Sequence, residues 1–213
     1  MNNVIFIAPP AAGKGTFSTF LVEMGYTHIS TGDLLREEMA KNSEIGISIK
    51  DIMNEGKLVS DEIVYELLNK KIKSLNGLFV LDGYPRNLNQ AETLDNLFNE
   101  LNIDNYKVVY LDLGVEEALK RALGRVVCSC GRSYNVNSEM FKPKVQGICD
   151  DCGKELTLRG DDNEESFKVR FATFLENIEP IRDYYNNKNK LYIVDVTVGV
   201  DEVMDKIKKI IAG

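Results

Sequence analysis

The stretch Val4-Ile5-Phe6-Ile7-Ala8-Pro9-Pro10-Ala11-Ala12-Gly13-Lys14-Gly15-Thr16 decides the fold. Its apolar opening reads as a buried strand, and Phe17 to Met24 continues it as a helix. A strand that stops, turns through small residues and opens a helix aims several backbone N–H groups at one point. The positive end of the helix dipole lies at the same point, which therefore suits a polyphosphate. Lys14 supplies a mobile charge for the outer phosphates, and Thr16 a hydroxyl close to where a magnesium ion on those phosphates sits. The pattern departs from G-x-x-x-x-G-K-[ST]: Ala8 stands where the first Gly belongs, and Gly15-Thr16 follows Lys14. Read alone, the stretch also fits an ordinary strand-to-helix turn that contains Gly-Lys-Gly.

Working outward, strands and helices alternate. Thr27-His28-Ile29 is a short extended piece. Ser30 or Thr31 can cap the helix that carries Leu34, Leu35, Arg36 and Met39, with Asp33 in its first turn. A second helical piece ends at Glu55-Gly56, so residues 30–59 read as a helical excursion from a sheet. Ser60-Asp61-Glu62 opens a helix to about Ser74. Leu78-Phe79-Val80-Leu81 is apolar throughout, as in a strand covered on both faces, and Asp82 falls at its carboxyl end, where open α/β folds bind ligands. Helices from Asn87 to Leu101 and Val115 to Leu123 flank a strand from Tyr106 to Leu113. Residues 124–162 break the rhythm and read as an inserted subdomain of short strands and turns. A long helix follows, opened by a capping box of Asp162 and Glu165, and then a strand at Leu191 to Val194 and a closing helix from Asp201 to Ile211. This pattern predicts one α/β domain with a doubly wound parallel sheet.

With 213 residues, 44% of them hydrophobic, the chain can bury a full core. No apolar run reaches the ~18 residues of a membrane span, which predicts a cytoplasmic protein without a membrane partner. The net charge of −7 argues against a general nucleic-acid binder. Only 8 of the 26 basic residues are Arg: Arg36, Arg86, Arg121, Arg125, Arg132, Arg159, Arg170 and Arg182. The guanidinium fork suits two-pronged contact with phosphate; Arg182 alone reads as a solvated ion-pair partner. All four cysteines, Cys128, Cys130, Cys149 and Cys152, fall in one short window, a clustering that favours a structural metal over disulfides.

These motifs together resemble the adenylate kinases in their long-lid form with a zinc-type lid. The resemblance runs over essentially the whole chain. It rests on Gly13-Lys14-Gly15-Thr16, on Ser30-Thr31-Gly32-Asp33-Leu34-Leu35-Arg36, on Asp82-Gly83-Tyr84-Pro85-Arg86 with Gln90, on Gly124-Arg125, on Cys149-Asp150-Asp151-Cys152-Gly153, and on Arg159-Gly160-Asp161-Asp162 with Arg170. It implies a P-loop core with a five-stranded sheet (1–29, 60–123 and 163–213), an AMP-binding excursion (30–59) and a lid (124–162). The implied reaction is ATP + AMP ⇌ 2 ADP with magnesium, in a monomer. Lys14, Asp82, Arg86, Arg125, Arg159 and Arg170 take catalytic roles. Ala11, Ala12, Gly13, Lys14, Gly15, Thr16, Arg121, Arg125, Arg132, Ser133, Tyr134 and Val198 face ATP. Thr31, Arg36, Lys57, Leu58, Val59, Gly83, Tyr84, Pro85, Arg86, Gln90, Arg159 and Arg170 face AMP, with Gln90 reading the adenine edge. The four cysteines would hold structural zinc.

The chain departs from this family in three places. Ala8 and Ala11 replace glycines of the phosphate loop, which predicts a weaker grip on ATP. Cys128-Ser129-Cys130 is one residue shorter than C-x-x-C. Val196 and Val198 stand where the family has a Gly and a longer polar residue. Rival readings are a kinase for UMP, CMP or GMP, and a nucleotide-binding module without catalysis.

Overall fold

The computed structural model describes residues 1–41, 43–54, 59–158 and 162–213. Five strands form a parallel sheet: β1 (Asn3–Ile7), β2 (Thr27–Ser30), β3 (Phe79–Asp82), β4 (Tyr106–Asp112) and, last in the chain, β8 (Leu191–Asp195), in the order β2-β3-β1-β4-β8. The helices between them are α1 (Lys14–Glu23), α2 (Thr31–Ala40), α3 (Glu44–Asn54), α4 (Asp61–Lys73), α5 (Leu88–Glu100), α6 (Val115–Leu123), α7 (Glu164–Asn187) and α8 (Val200–Ala212). The sheet is doubly wound and α/β, as the alternation of elements predicts.

The central strands are apolar throughout because both faces are covered. Along β1, Ile5 and Ile7 join one core cluster with Leu68, Leu94 and Tyr185, while Val4 and Phe6 join another with Leu21, Val203 and Ile207. β3 and β4 divide the same way, Leu81 and Val108 to the first cluster and Val80 and Val109 to the second. Successive side chains of a strand point to opposite faces, so each strand feeds both layers of helices.

Three further strands, β5 (Arg125–Val127), β6 (Ser133–Asn135) and β7 (Thr157–Leu158), form a separate antiparallel sheet in the order β6-β5-β7. Its core is small: Cys128, Tyr134, Cys149 and Leu156 are buried together.

Two local readings are refined. Ser30, not Thr31, caps α2 by accepting from the Asp33 N–H at 3.3 Å. The cap of α7 is Asn163, whose side chain accepts from Ser166 N–H at 2.9 Å. Asp162 lies one residue too early for that geometry, and its carboxylate is engaged elsewhere.

Candidate functional site

The carboxyl ends of β1 and β3 lie side by side, with Phe6 opposite Asp82. After β1 the chain turns through residues 8–13, and α1 begins at Lys14 with Gly13 as its N-cap at φ 90°. A Cβ at Gly13 would meet the Phe17 ring at 3.2 Å. Ala11 adopts φ 63°, a left-handed conformation that a Cβ disfavours by about 1–2 kcal/mol. This is the position at which glycine would be at ease. Ala12 is buried, Gly15 is exposed and Thr16 is half-buried.

Lys14 Nζ donates to the carbonyls of Ala8 (3.2 Å) and Pro9 (3.3 Å), so the ammonium folds back over its own loop. Burial pulls its pKa down to about 8; Asp82 opposes this, while Arg86, Arg170 and Arg125 push the same way. Those five residues thus share one field, although they come from β3, α1, α7, β5 and the turn after β3. Burial raises the pKa of Asp82, but His28 and the charges of Lys14 and Arg86 outweigh it and hold the carboxyl below its ordinary value. His28 Nε2 lies 3.8 Å from Asp82 Oδ2.

Carboxylates hold three of these arginines, and a backbone carbonyl accepts from a fourth. Arg125 makes a two-pronged pair with Asp162, whose side chain is buried, and Arg170 approaches the same carboxylate at 3.5 Å. Arg36 pairs with Asp33. Arg86 Nε donates to the Gly83 carbonyl at 2.7 Å.

Beside this cluster is a small cleft lined by Thr31, Leu35, Val59, Val64, Gly83, Tyr84, Arg86 and Gln90. Thr31 Oγ1 donates to the Gly83 carbonyl at 3.0 Å. A Cβ on Gly83, at φ 87°, would come within 2.7 Å of that hydroxyl, so only glycine fits the turn. Tyr84 is buried, and Tyr84–Pro85 is a cis peptide. A larger hollow lined by Asn3, Ile72, Leu75, Phe79 and Ile103 lies at the opposite, amino end of the sheet, away from this chemistry.

The remaining candidates separate into three groups. Arg121 is anchored by Glu117 Oε1 (3.0 Å) and the Val196 carbonyl (2.9 Å), and Val198 packs on the adjoining core. Arg132 is exposed, 3.7 Å from Asp151, and lies over the Tyr134 ring. Ser133 is exposed on β6, and the Tyr134 side chain turns inward to the cysteines: its hydroxyl is 3.5 Å from Cys149 Sγ and accepts from Asp150 N–H at 2.7 Å. Lys57, Leu58 and Arg159 lie outside the described residues.

The four cysteine sulfurs all lie within 4.8 Å of one another, with Cys128 and Cys152 at 3.4 Å and Cys130 and Cys149 at 3.6 Å. Zinc–sulfur bonds of about 2.3 Å imply tetrahedral edges of about 3.8 Å. The set therefore fits a closed zinc site. The shortened first arm is supported by Cys128 N–H to the Arg132 carbonyl (2.8 Å) and Gly131 N–H to the Cys128 carbonyl (2.9 Å). The second arm has the matching pair, Cys149 N–H to Lys154 and Gly153 N–H to Cys149. The Tyr134 hydroxyl buttresses the second arm through Cys149 and Asp150, a role that spacing alone could not reveal.

A family model described as adenylate kinase matches residues 6–190. The chain is 41% identical to an adenylate kinase of Fervidobacterium nodosum, over 99% of this chain and 98% of that one. It is 40% identical to one of Thermosipho africanus, over 98% and 99%, and 41% identical to one of Thermotoga maritima, over 99% and 97%.

The depressed Lys14 pKa has a pH signature. Below about pH 8 the ammonium is charged and ready for a polyanion. Above it the free amine is neutral, so a polyanion that pairs with the ammonium must take up a proton, and its affinity falls by up to tenfold per pH unit. The stability contribution runs oppositely: the unfolded lysine titrates near 10.5, so folding gains between about pH 8 and 10.5 as the native penalty on the charged form disappears. Calorimetric ATP titration from pH 7 to 9.5 should show both the weakening and the proton uptake, and Lys14→Met should lose the Lys14 component of each.

Proposed function

The chain belongs to the adenylate kinase family, and we propose that its transfer between Mg-ATP and AMP takes place where the cations around Lys14 adjoin the cleft of Thr31, Val59 and Gln90. The observation that carries this reading is that convergence: Lys14, Asp82, Arg86, Arg125 and Arg170 share one field at the carboxyl ends of β1 and β3. A phosphotransferase for a phosphate acceptor needs no general base, because the attacking oxygen is already anionic. That oxygen bonds to the γ-phosphorus of ATP as the bridging P–O bond breaks, and its electrons remain on the departing ADP. What the protein must supply is alignment and neutralisation of the spread charge.

In this proposal the loop amides and Lys14 hold the ATP phosphates, with Thr16 beside them. Asp82, kept ionised, would orient hydrated magnesium, which would supply further charge neutralisation. Arg86 and Arg36 take the AMP phosphate, and Gln90 faces its base. Arg125 and Arg170, with Arg159, close on the transferred group. Phosphate competes with Asp162 for Arg125 and Arg170, so nucleotide arrival loosens the lid's anchoring and lets residues 124–162 swing inward while 30–59 closes from the other side. Closure excludes water as a rival acceptor. We assign the protein to the cytoplasm as a monomer.

The cysteines are proposed to hold one structural zinc. Metal analysis of the purified chain should give one zinc per molecule, and Cys149→Ser should lose it along with lid stability. Retention of full zinc content by that variant would refute the site.

The reading is tested by ADP formation from Mg-ATP with AMP, CMP, UMP or GMP as separate acceptors. AMP should turn over at least a hundredfold more efficiently than the others. Preference for another acceptor would overturn the substrate assignment, and no turnover with any would favour a binding module.

A further inference from the structure

Gln90 is buried in the first turn of α5, and its side chain lines the small cleft. Two groups hold its amide. Nε2 donates to Asp61 Oδ1 at 2.6 Å, and Oε1 accepts from the backbone N–H of Arg86 at 2.7 Å. The backbone is fixed as well, because Gln90 N–H donates to the capping side chain of Asn87 at 2.8 Å. Asp61, the first residue of α4, is itself steadied by Nδ2 of Asn87 (3.1 Å) and Nδ2 of Asn89 (3.2 Å). One carboxylate therefore ties the start of α4 to the start of α5 with Gln90 between them.

The chemistry of the two partners fixes which way the amide faces. A carboxylate only accepts and a backbone N–H only donates. The nitrogen end must therefore meet Asp61 and the oxygen end Arg86, because the reverse placement would set acceptor against acceptor and donor against donor. A primary amide has two N–H groups and two lone pairs. One of each is committed here, which leaves one N–H and one lone pair on defined sides. The distinction matters for a purine. Adenine offers a donor at its 6-amino group and an acceptor at N1, and a 6-oxopurine offers the reverse. An amide free to turn over could satisfy either edge, whereas one held at both ends satisfies a single polarity.

We propose that Asp61 is a specificity-determining positioning residue: it fixes the polarity of the Gln90 amide so that the acceptor site takes a 6-aminopurine and rejects a 6-oxopurine. This inference rests on the reading above that Gln90 faces the acceptor base. Asp61 itself touches no substrate. A mismatched base would leave the held amide and the base edge unpaired in a buried place, and such mismatches discriminate strongly.

The test compares kcat/KM for AMP and IMP, with Mg-ATP as donor, in the wild type and in Asp61→Asn, Asp61→Glu and Gln90→Leu. IMP is chosen because it reverses the 1,6 edge without adding a 2-amino group. Asp61→Asn can donate or accept, so it removes the acceptor-only constraint on the nitrogen end and leaves the polarity to the Arg86 N–H alone: the AMP-to-IMP ratio should fall at least tenfold, while KM for ATP stays within twofold. Asp61→Glu keeps an acceptor-only group and should hold the ratio within threefold of wild type. Gln90→Leu should collapse the ratio. A wild-type ratio in folded Asp61→Asn, with the ratio collapsed in Gln90→Leu, overturns the role of Asp61 alone. An intact ratio in Gln90→Leu overturns the reading of Gln90, and this inference with it. If Asp61→Asn does not fold, Asp61→Ser, whose hydroxyl also serves either polarity, carries the same expectation and the same refutation.

Discussion

Positive charges must be kept close together before any phosphate arrives, and the site depends on how that crowding is relieved. Lys14 sits in the field of Arg86, Arg125 and Arg170, which together with burial lower its pKa. Internal groups counter this. Asp82 opposes the depression of Lys14, two loop carbonyls accept from its ammonium, and Asp162 accepts Arg125 with Arg170 nearby. Asp33 does the same for Arg36. A polyphosphate offers these cations more charge than the carboxylates do, so the proposed mechanism couples binding and rearrangement through the same contacts.

The fold provides the rigid reference for that exchange. β1 and β3 are buried on both faces and feed two separate core layers, so their carboxyl ends are fixed relative to each other. Lys14 and Asp82 lie just beyond and at those ends. The two arginines proposed to close on the phosphates differ in their support: Arg125 comes from the half-buried β5 of the small second sheet, whereas Arg170 lies on α7 between Phe167 and Phe171 of the second core layer. Among the described residues that small sheet has a core of four buried side chains, two of them cysteines, which is why a metal suits it.

Much of this was legible in the sequence, for physical reasons that differ by element. Continuous apolar runs such as Val4 to Ile7 and Leu78 to Leu81 identify strands covered on both faces, and the small-residue turn before Lys14 identifies the loop. The cost at Ala11 was also legible, because a Cβ is poorly tolerated at positive φ, and the structure puts Ala11 at 63°. Contacts between residues distant in sequence were not legible. Asp162 reads as a helix cap, yet it anchors Arg125, which lies 37 residues earlier. The support that the Tyr134 hydroxyl gives Cys149 spans 15 residues. Asp61 reads as a first-turn acid suited to the helix dipole, and its bond to Gln90 spans 29 residues. Local pattern carries secondary structure and motif chemistry, while side-chain partners wait on the packing of elements.

Lys14 is the centre of the charge cluster, so the most direct measurement is the rate of ADP formation from Mg-ATP and AMP by Lys14→Met, with thermal unfolding recorded alongside. Loss of a charge-stabilising donor of this kind typically lowers kcat by about 10²–10³. The expected result is a fall of at least that size with no loss of thermal stability, since the buried penalty on the ammonium is removed. Turnover within about tenfold of the wild type would contradict the account and move the reaction away from the head of β1.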